Sequence, residues 1–211
     1  SANCPPHHEL VIYEMHIGSF GGQDSEGSVG HLDDAIARLD HLVDLGVNAV
    51  EVMPMAEFAG DMSWGYNPAH IFAVESAYGG PDAYKTFVKE CHRRGIAVIQ
   101  DVVYNHLGPS GNYLPEFGPY LREGHANTWG DSVNLDERAV RDYITGNALM
   151  WLRDNHVDGL RLDAVHALHE SGDQPQHILA ELSTAVDALS AELGRPLTLI
   201  AESDLNDPIM I

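Results

Sequence analysis

An arginine and an aspartate stand two residues apart in VDGLRLDAVH (157–166), a run whose apolar residues otherwise predict a buried strand. Side chains alternate between the two faces of a strand, so Gly159, Arg161 and Asp163 share one face and the leucines share the other. The leucine face suits packing under helices. The opposite face would bury two charges, which indicates a chemical role for them.

Carboxyl groups also stand at the ends of two other predicted strands, where VIQDVVYNH carries Asp101 and LIAESD carries Glu202. Glycoside hydrolysis needs two carboxyl groups of different character, one ionised to attack the sugar and one protonated for the departing oxygen. Arg161 can keep Asp163 ionised, and Glu202 beside that anion can hold a proton. We therefore predict Asp163 as the nucleophile and Glu202 as the acid/base. A structural ion pair remains an alternative that the spacing leaves open.

Strand-like and helix-like segments alternate along the chain. Apolar patterns predict five strands, at about residues 9–20, 47–54, 96–106, 157–164 and 196–204. Helical spacing predicts four helices between them, at residues 32–45, 82–94, 137–155 and 174–193. Glycines are predicted to end three of these helices, at Gly46, Gly95 and Gly194, and Gly18 is predicted to end the first strand. The stretches 56–81 and 107–135 are predicted to be irregular. This alternation is typical of βαβ units and a parallel sheet, whose strand ends meet at one edge.

Composition narrows the class of partner. The 211 residues include 32 Asp or Glu and 11 Lys or Arg, which gives a formal net charge of −21. Such acidity disfavours nucleic acid and membranes as partners and suits a neutral substrate such as a sugar, although a solubility or salt adaptation explains it equally. Two cysteines and the lack of a long apolar run favour a cytoplasmic protein without a disulfide framework.

Four motifs resemble those of the α-amylase family of glycoside hydrolases. In chain order they are WGYNP (64–68), DVVYNH (101–106), DGLRLDAVH (158–166) and LIAESD (199–204). The resemblance implies a (β/α)8 barrel of the TIM type and a retaining mechanism through a covalent glycosyl-enzyme. Asp163 would be the nucleophile, Glu202 the acid/base and Arg161 the partner of the nucleophile. We expect about the first five βα units of the barrel, as a single α/β domain over residues 1–211 with an irregular excursion at about 105–137 after the third strand.

The resemblance also implies substrate-binding residues. WGYNP supplies Trp64 and Tyr66, of which Tyr66 resembles the aromatic platform under the sugar being cleaved. His106 resembles a histidine that hydrogen-bonds the same sugar, and Asp101 resembles a buried aspartate that organises the site. His166 is expected to line a neighbouring subsite. Three of these residues also have a structural alternative. Tyr66 could pack in the core, His106 could stabilise its loop, and His166 could cap a local element.

No metal or cofactor is predicted. Asn105 resembles a position that ligates calcium in some family members. One asparagine does not make the oxygen cage that calcium requires, so a structural role for Asn105 is preferred.

Further stretches of the sequence bear on which substrate is cleaved. WGDSVNLDE (129–137), residues 147–168 and IAESDLNDP (200–208) are similar to the trehalohydrolase branch of the family, which hydrolyses the α-1,4 bond beside the terminal trehalose unit of maltooligosyl trehalose. Residues 57–80 are more similar to general α-amylases and branching enzymes. We therefore predict release of trehalose, with a 1,4-α-glucan branching enzyme, a general α-amylase and a non-catalytic carbohydrate-binding fragment as alternatives.

Five strands cannot close an eight-stranded barrel, and closure is what removes exposed sheet edges. We therefore expect the outer strands to take a partner, either another copy of this chain by self-association or the remaining part of a barrel. The family's third carboxylate, on the seventh strand, has no counterpart in these residues. Because that carboxylate stabilises charge in the transition state, we expect this chain to hydrolyse its substrate weakly or not at all.

Overall fold

The computed structural model describes residues 9–20, 31–58, 68–74, 78–104, 121–127, 130–133, 135, 138–163, 177–202 and 209–210. Its strands are β1 Ile12–Met15, β2 Ala49–Val52, β3 Ala56–Phe58, β4 Pro68–Val74, β5 Ala97–Val102, β6 Leu121–Asn127, β7 Gly130–Val133, β8 Gly159–Leu162, β9 Thr198–Ala201 and β10 Ile209–Met210. Its helices are α1 Ile17–Phe20, α2 Leu32–Ala37, α3 Leu39–Asp44, α4 Gly80–Arg93, α5 Arg138–Arg153 and α6 Ile178–Leu193. Of the helices in these ranges, none combines the length and the hydropathy needed to cross a bilayer.

Five parallel strands form the main sheet, in the order β1-β2-β5-β8-β9. Helices come between successive strands of this series: α2 and α3, then α4, α5 and α6. This confirms the predicted alternation and the parallel sheet. The short strand β10 adds an antiparallel partner to β9.

Three predicted segments differ from the structure. The helix predicted at 32–45 is two shorter helices, because the N–H of Arg38 bonds three residues back to the carbonyl of Ala35 and tightens the turn between them. The stretches predicted as irregular contain antiparallel pairs, β3 with β4 and β6 with β7. The sequences of β6 and β7, LREGHAN and GDSV, lack the alternation of apolar residues that predicts a strand.

Glycine stops were correct for the three helices for which they were predicted, α3, α4 and α6, and wrong for the first strand. Gly194 follows α6 with φ 65°, a left-handed conformation that glycine adopts without strain, and Gly46 follows α3 with φ 82°. Strand β1 ends at Met15, and Gly18 lies inside the short helix α1. The prediction that Gly18 ends the first strand is therefore wrong. The helix α1 that contains Gly18 has one turn, which is too short to show helical periodicity in the sequence.

The hydrophobic core lies between the sheet and its helices. Leu160 and Leu162 are 0% and 2% exposed and belong to one buried cluster with Trp151 of α5. The Trp151 ring meets Tyr84 of α4 edge to face, with centroids 5.2 Å apart. The leucine face of β8 thus lies under helices, as predicted, and the Arg161 face is the opposite one.

Asp158 joins three elements at the amino end of β8. Its Oδ2 accepts from the N–H of Val98 at 2.8 Å and lies 2.7 Å from Nε2 of His92. Its Oδ1 accepts from Nη1 of Arg195 at 3.0 Å, and Arg195 also donates to the carbonyl of Leu152 at 3.0 Å. This end of the sheet is opposite to the carboxyl ends of the strands, so the network stabilises the fold and is remote from the candidate chemistry.

We expect Asp158→Asn to lower the free energy of unfolding by roughly 1–3 kcal/mol, because the new amide NH2 faces groups that are themselves donors. Urea unfolding measures this change. Asp187→Asn, at an exposed position on α6, is the control and should change the free energy of unfolding by less than about 0.5 kcal/mol. Equal unfolding midpoints for the two variants would contradict the stabilising role of Asp158.

Candidate active site

Strand register brings Asp163 and Glu202 to one rim of the sheet. The backbone N–H of Asp163 donates to the carbonyl of Val102 at 3.1 Å, and that of Glu202 donates to the carbonyl of Leu162 at 2.9 Å. Each residue therefore directly follows its strand, β8 or β9, and the two strands are parallel neighbours. Their side chains leave the sheet at the carboxyl ends of these strands, the edge at which α/β folds place their sites.

The guanidinium of Arg161 is the centre of this rim. Its Nη1 donates to the carboxylate of Asp101 and lies 3.4 Å from Oδ1 of Asp163. Its Nη2 lies 3.7 Å from Oε2 of Glu202, and its Nε lies 3.4 Å from Oε1 of Glu51. Within the described ranges, one guanidinium thus contacts carboxyl groups positioned by β2, β5, β8 and β9.

The carboxyl groups differ in their access to solvent. The side chains of Asp101 and Glu51 are 1% and 13% exposed, whereas those of Asp163 and Glu202 are 21% and 34% exposed. The deep pair can hold Arg161 in place. The outer pair can reach a ligand, and both of its members lie beside the same guanidinium.

Glu51 is not among the residues predicted from the sequence. It interrupts the apolar strand VNAVEVMP as Arg161 interrupts VDGLRLDA, and that shared signal could have identified it. Burial raises the pKa of the Glu51 carboxyl above its ordinary value; Arg161 opposes the shift, and the Glu14 carboxylate on β1 adds to it. Glu51 therefore holds a proton more readily than an exposed glutamate does.

Gln100 ties the rim of β5 to β2 and to helix α4. Its side chain is 0% exposed, accepts from the hydroxyl of Tyr84 at 2.6 Å and donates to the carbonyl of Val52 at 3.3 Å. Burial raises the pKa of Tyr84 well above its ordinary value, so this hydroxyl keeps its proton and remains a donor. The amide thereby fixes the strand that carries Asp101.

Other residues predicted for the site lie outside the described residues. They are the proposed substrate-binding residues Trp64, Tyr66, His106 and His166, and also Asn105. The structure therefore brings Asp101, Arg161, Asp163 and Glu202 together and adds Glu51 to them.

Comparison with known proteins places the chain in a family. The family model for the alpha amylase catalytic domain matches residues 16–122, just over half of the chain. The chain belongs to the α-amylase family. Within the family it is similar to malto-oligosyltrehalose trehalohydrolases from Arthrobacter ramosus and Rhizobium sp. (strain M-11), with 60% and 56% identity over 95% of this chain. It covers 34% and 33% of those two proteins, so it spans about a third of their length.

A more distant relative within the α-amylase family is the 1,4-alpha-glucan branching enzyme GlgB of Pseudoalteromonas atlantica, 38% identical over 75% of this chain and 23% of that enzyme. Among solved structures, a Salmonella typhimurium protein assigned as an alpha amylase matches with a TM-score of 0.85 and 38% identity, over 96% of this chain and 33% of that one. These matches and the five-stranded parallel sheet confirm the predicted fold, the first part of a (β/α)8 barrel of the TIM type.

Proposed function

We propose that this chain is the site-bearing part of a retaining α-glucan glycoside hydrolase that releases trehalose from maltooligosyl trehalose. The observation that carries the proposal is the placement of Asp163 and Glu202 at 3.4 Å and 3.7 Å from one guanidinium, at the ends of neighbouring strands. Retaining enzymes need two carboxyl groups close enough to flank one glycosidic oxygen, about 5–5.5 Å apart. The trehalohydrolase relatives support the choice of substrate.

In the proposed reaction, the carboxylate of Asp163 attacks the anomeric carbon of the glucose that precedes the trehalose unit. The bond from that carbon to the glycosidic oxygen breaks, and Glu202 donates a proton to this oxygen, which leaves as a hydroxyl of trehalose. A glycosyl ester of Asp163 remains. Glu202 then takes a proton from water, which attacks the same carbon and restores both carboxyl groups.

Arg161 and Asp101 have supporting roles in this proposal. Arg161 lowers the energy of the ionised nucleophile by charge attraction, and Asp101 fixes Arg161 through a charge-assisted hydrogen bond from Nη1. Tyr66 and Trp64 would stack on the sugars, since aromatic rings present apolar faces that suit sugar rings. His106 and His166 would bind the sugar hydroxyls. No metal ion or cofactor has a part in these steps.

The test is sugar analysis after incubation with maltooligosyl trehalose. The protein, expressed over the complete reading frame that encodes this chain, should release free trehalose. A maltooligosaccharide of the same length without the trehalose unit is the control and should be cleaved much more slowly. Equal cleavage of the two substrates would reject the trehalohydrolase assignment and favour a general α-amylase.

A branching enzyme is the second candidate, favoured by the similarity to GlgB and by the character of residues 57–80. A branching enzyme transfers the glucan from the covalent intermediate to a sugar hydroxyl in place of water. New α-1,6 branches in an α-glucan, without free trehalose, would support it. A non-catalytic carbohydrate-binding role would give neither product while sugar binding persists.

We further propose a cytoplasmic protein whose 211 residues, taken alone, self-associate and turn over weakly. Support for self-association comes from the outer strand β1, where Ile12 and Tyr13 are 39% and 38% exposed, and from Val11 just before it, which is 52% exposed. Light scattering on this chain should give a mass above that of one copy. A single-copy mass across a range of concentrations would contradict association through the sheet edge.

A further inference from the structure

Each nitrogen atom of the Arg161 guanidinium contacts different carboxyl groups. Nη1 serves Asp101 and Asp163, Nη2 serves Glu202, and Nε serves Glu51. Because Nε and the two Nη atoms lie at different edges of a planar group, contacts at all three define the plane of the guanidinium. Asp101 fixes only the Nη1 corner.

We infer that Glu51 is a positioning residue that holds the Nε edge of Arg161, so that Nη1 and Nη2 are directed at Asp163 and Glu202. Glu51 lies on β2, two strands away from Arg161 on β8, in the order β2-β5-β8. The side chain of Arg161 therefore leans across β5 to reach it. A long arginine with many rotamers needs such an anchor on its guanidinium if its contacts are to be reproducible.

The position of Glu51 is unfavourable for folding, which argues for a role in the site. Its neighbours on the strand, Val50 and Val52, are both 0% exposed. Burial and Glu14 raise the pKa of Glu51, so ionisation of this group removes stability as the pH rises through its folded-state pKa. An apolar residue would suit β2 better, whereas a carboxylate supplies the oxygen and the charge that attract Nε of Arg161.

Glu51 faces Arg161 on β8 and Glu14 on β1. Arg161 in turn faces Asp101 on β5, Asp163 after β8 and Glu202 after β9. When Glu51 is ionised, its negative charge partly offsets the positive charge of Arg161. The guanidinium then attracts the carboxylates of Asp163 and Glu202 less strongly. A neutral amide in its place, which can still accept from Nε, would hold the guanidinium but leave it acting more strongly on Asp163 and Glu202. The pH dependence of the reaction therefore reports on this contact.

The experiment compares Glu51→Gln, Glu51→Met and the control Glu14→Gln in the protein expressed over its complete reading frame; its kinetic part depends on the proposed function. Glu14 lies opposite Glu51 in the register of β1 and β2 and is exposed. We expect kcat to fall about tenfold in Glu51→Gln, whose amide oxygen can still accept from Nε but no longer shares the charge of Arg161. In Glu51→Met, which has no acceptor for Nε, the guanidinium is misplaced and kcat should fall about a hundredfold; KM should change less than about twofold in both variants. Both limbs of the kcat–pH profile of Glu51→Gln should move to lower pH. Glu14→Gln should leave kcat unchanged within about twofold, because Glu14 does not contact Arg161 through any of the contacts described above.

A crystal structure of each variant gives a readout that does not depend on activity. In Glu51→Met the guanidinium of Arg161 should move from its wild-type position by about 1 Å or more, whereas in Glu14→Gln it should stay in place. An unmoved guanidinium would overturn the inference, as would wild-type kcat and pH limbs in Glu51→Gln. If the wild-type protein releases no trehalose, the proposed function fails and the crystal structures still decide the role of Glu51.

Discussion

Asp163→Asn is expected to abolish trehalose release, with kcat lower by on the order of 10⁴-fold or more, as for the loss of other covalent nucleophiles. An amide cannot form the glycosyl ester through which the proposed reaction passes. The substitution keeps the size of the side chain and its place beside Nη1 of Arg161, which lies 3.4 Å from Oδ1 in the wild-type protein. Substrate binding should therefore persist.

The measurement is kcat on maltooligosyl trehalose together with the dissociation constant by calorimetry. Asp187→Asn is the matched control, since it makes the same chemical change at an exposed position on α6. It should retain wild-type kcat. Unchanged turnover in Asp163→Asn would reject the nucleophile assignment. If the wild-type protein itself bound the sugar without turnover, the carbohydrate-binding alternative would be favoured.

The parallel sheet could be predicted because its strands and helices carry strong, regular signals. β8 places leucines on one face and charges on the other, and α6 ends at Gly194, a residue suited to the left-handed conformation found there. The hairpins β3–β4 and β6–β7 could not be predicted in the same way. Antiparallel pairing satisfies backbone groups without needing apolar side chains at alternate positions, so LREGHAN gave no signal.

The part of the candidate site that could be predicted consists of the charged residues at strand ends. Asp163 and Glu202 end their strands, and parallel pairing brings strand ends together whatever the side chains are. Glu51 lies inside β2 and joins the site only because Arg161 is long enough to reach across a strand. That reach depends on a rotamer, which sequence periodicity does not determine.

Arg161→Met is expected to lower the free energy of unfolding by about 3–5 kcal/mol at neutral pH, as removal of one partner from a buried ion pair does. The largest part arises at Asp101, whose side chain is 1% exposed and which would lose the guanidinium that donates to it. Asp163 and Glu202 would also lose the cation that they share. Their mutual repulsion then opposes folding, so turnover is expected to be lost as well.

The loss of unfolding free energy in Arg161→Met should become smaller as the pH falls. Arg161 is the group that lowers the pKa of Glu51 against the effect of burial, so its loss raises that pKa further. A carboxyl group with a raised folded-state pKa contributes stability below its ordinary pKa and loses that contribution as the pH rises through the folded-state value. The unfolding free energies of variant and wild type should therefore approach each other toward pH 4 and diverge toward pH 7.

Urea unfolding across this pH range measures the effect, and Arg153→Met is the matched control. Arg153 pairs with Glu192 at 3.2 Å between side chains that are 49% and 63% exposed, so its loss should cost no more than about 1 kcal/mol. Adding Asp101→Asn to Arg161→Met should restore part of the stability, because it removes the most buried of the uncompensated charges. Equal losses in Arg161→Met and Arg153→Met, or no recovery in the double variant, would mean that the guanidinium does not hold the rim of the sheet together.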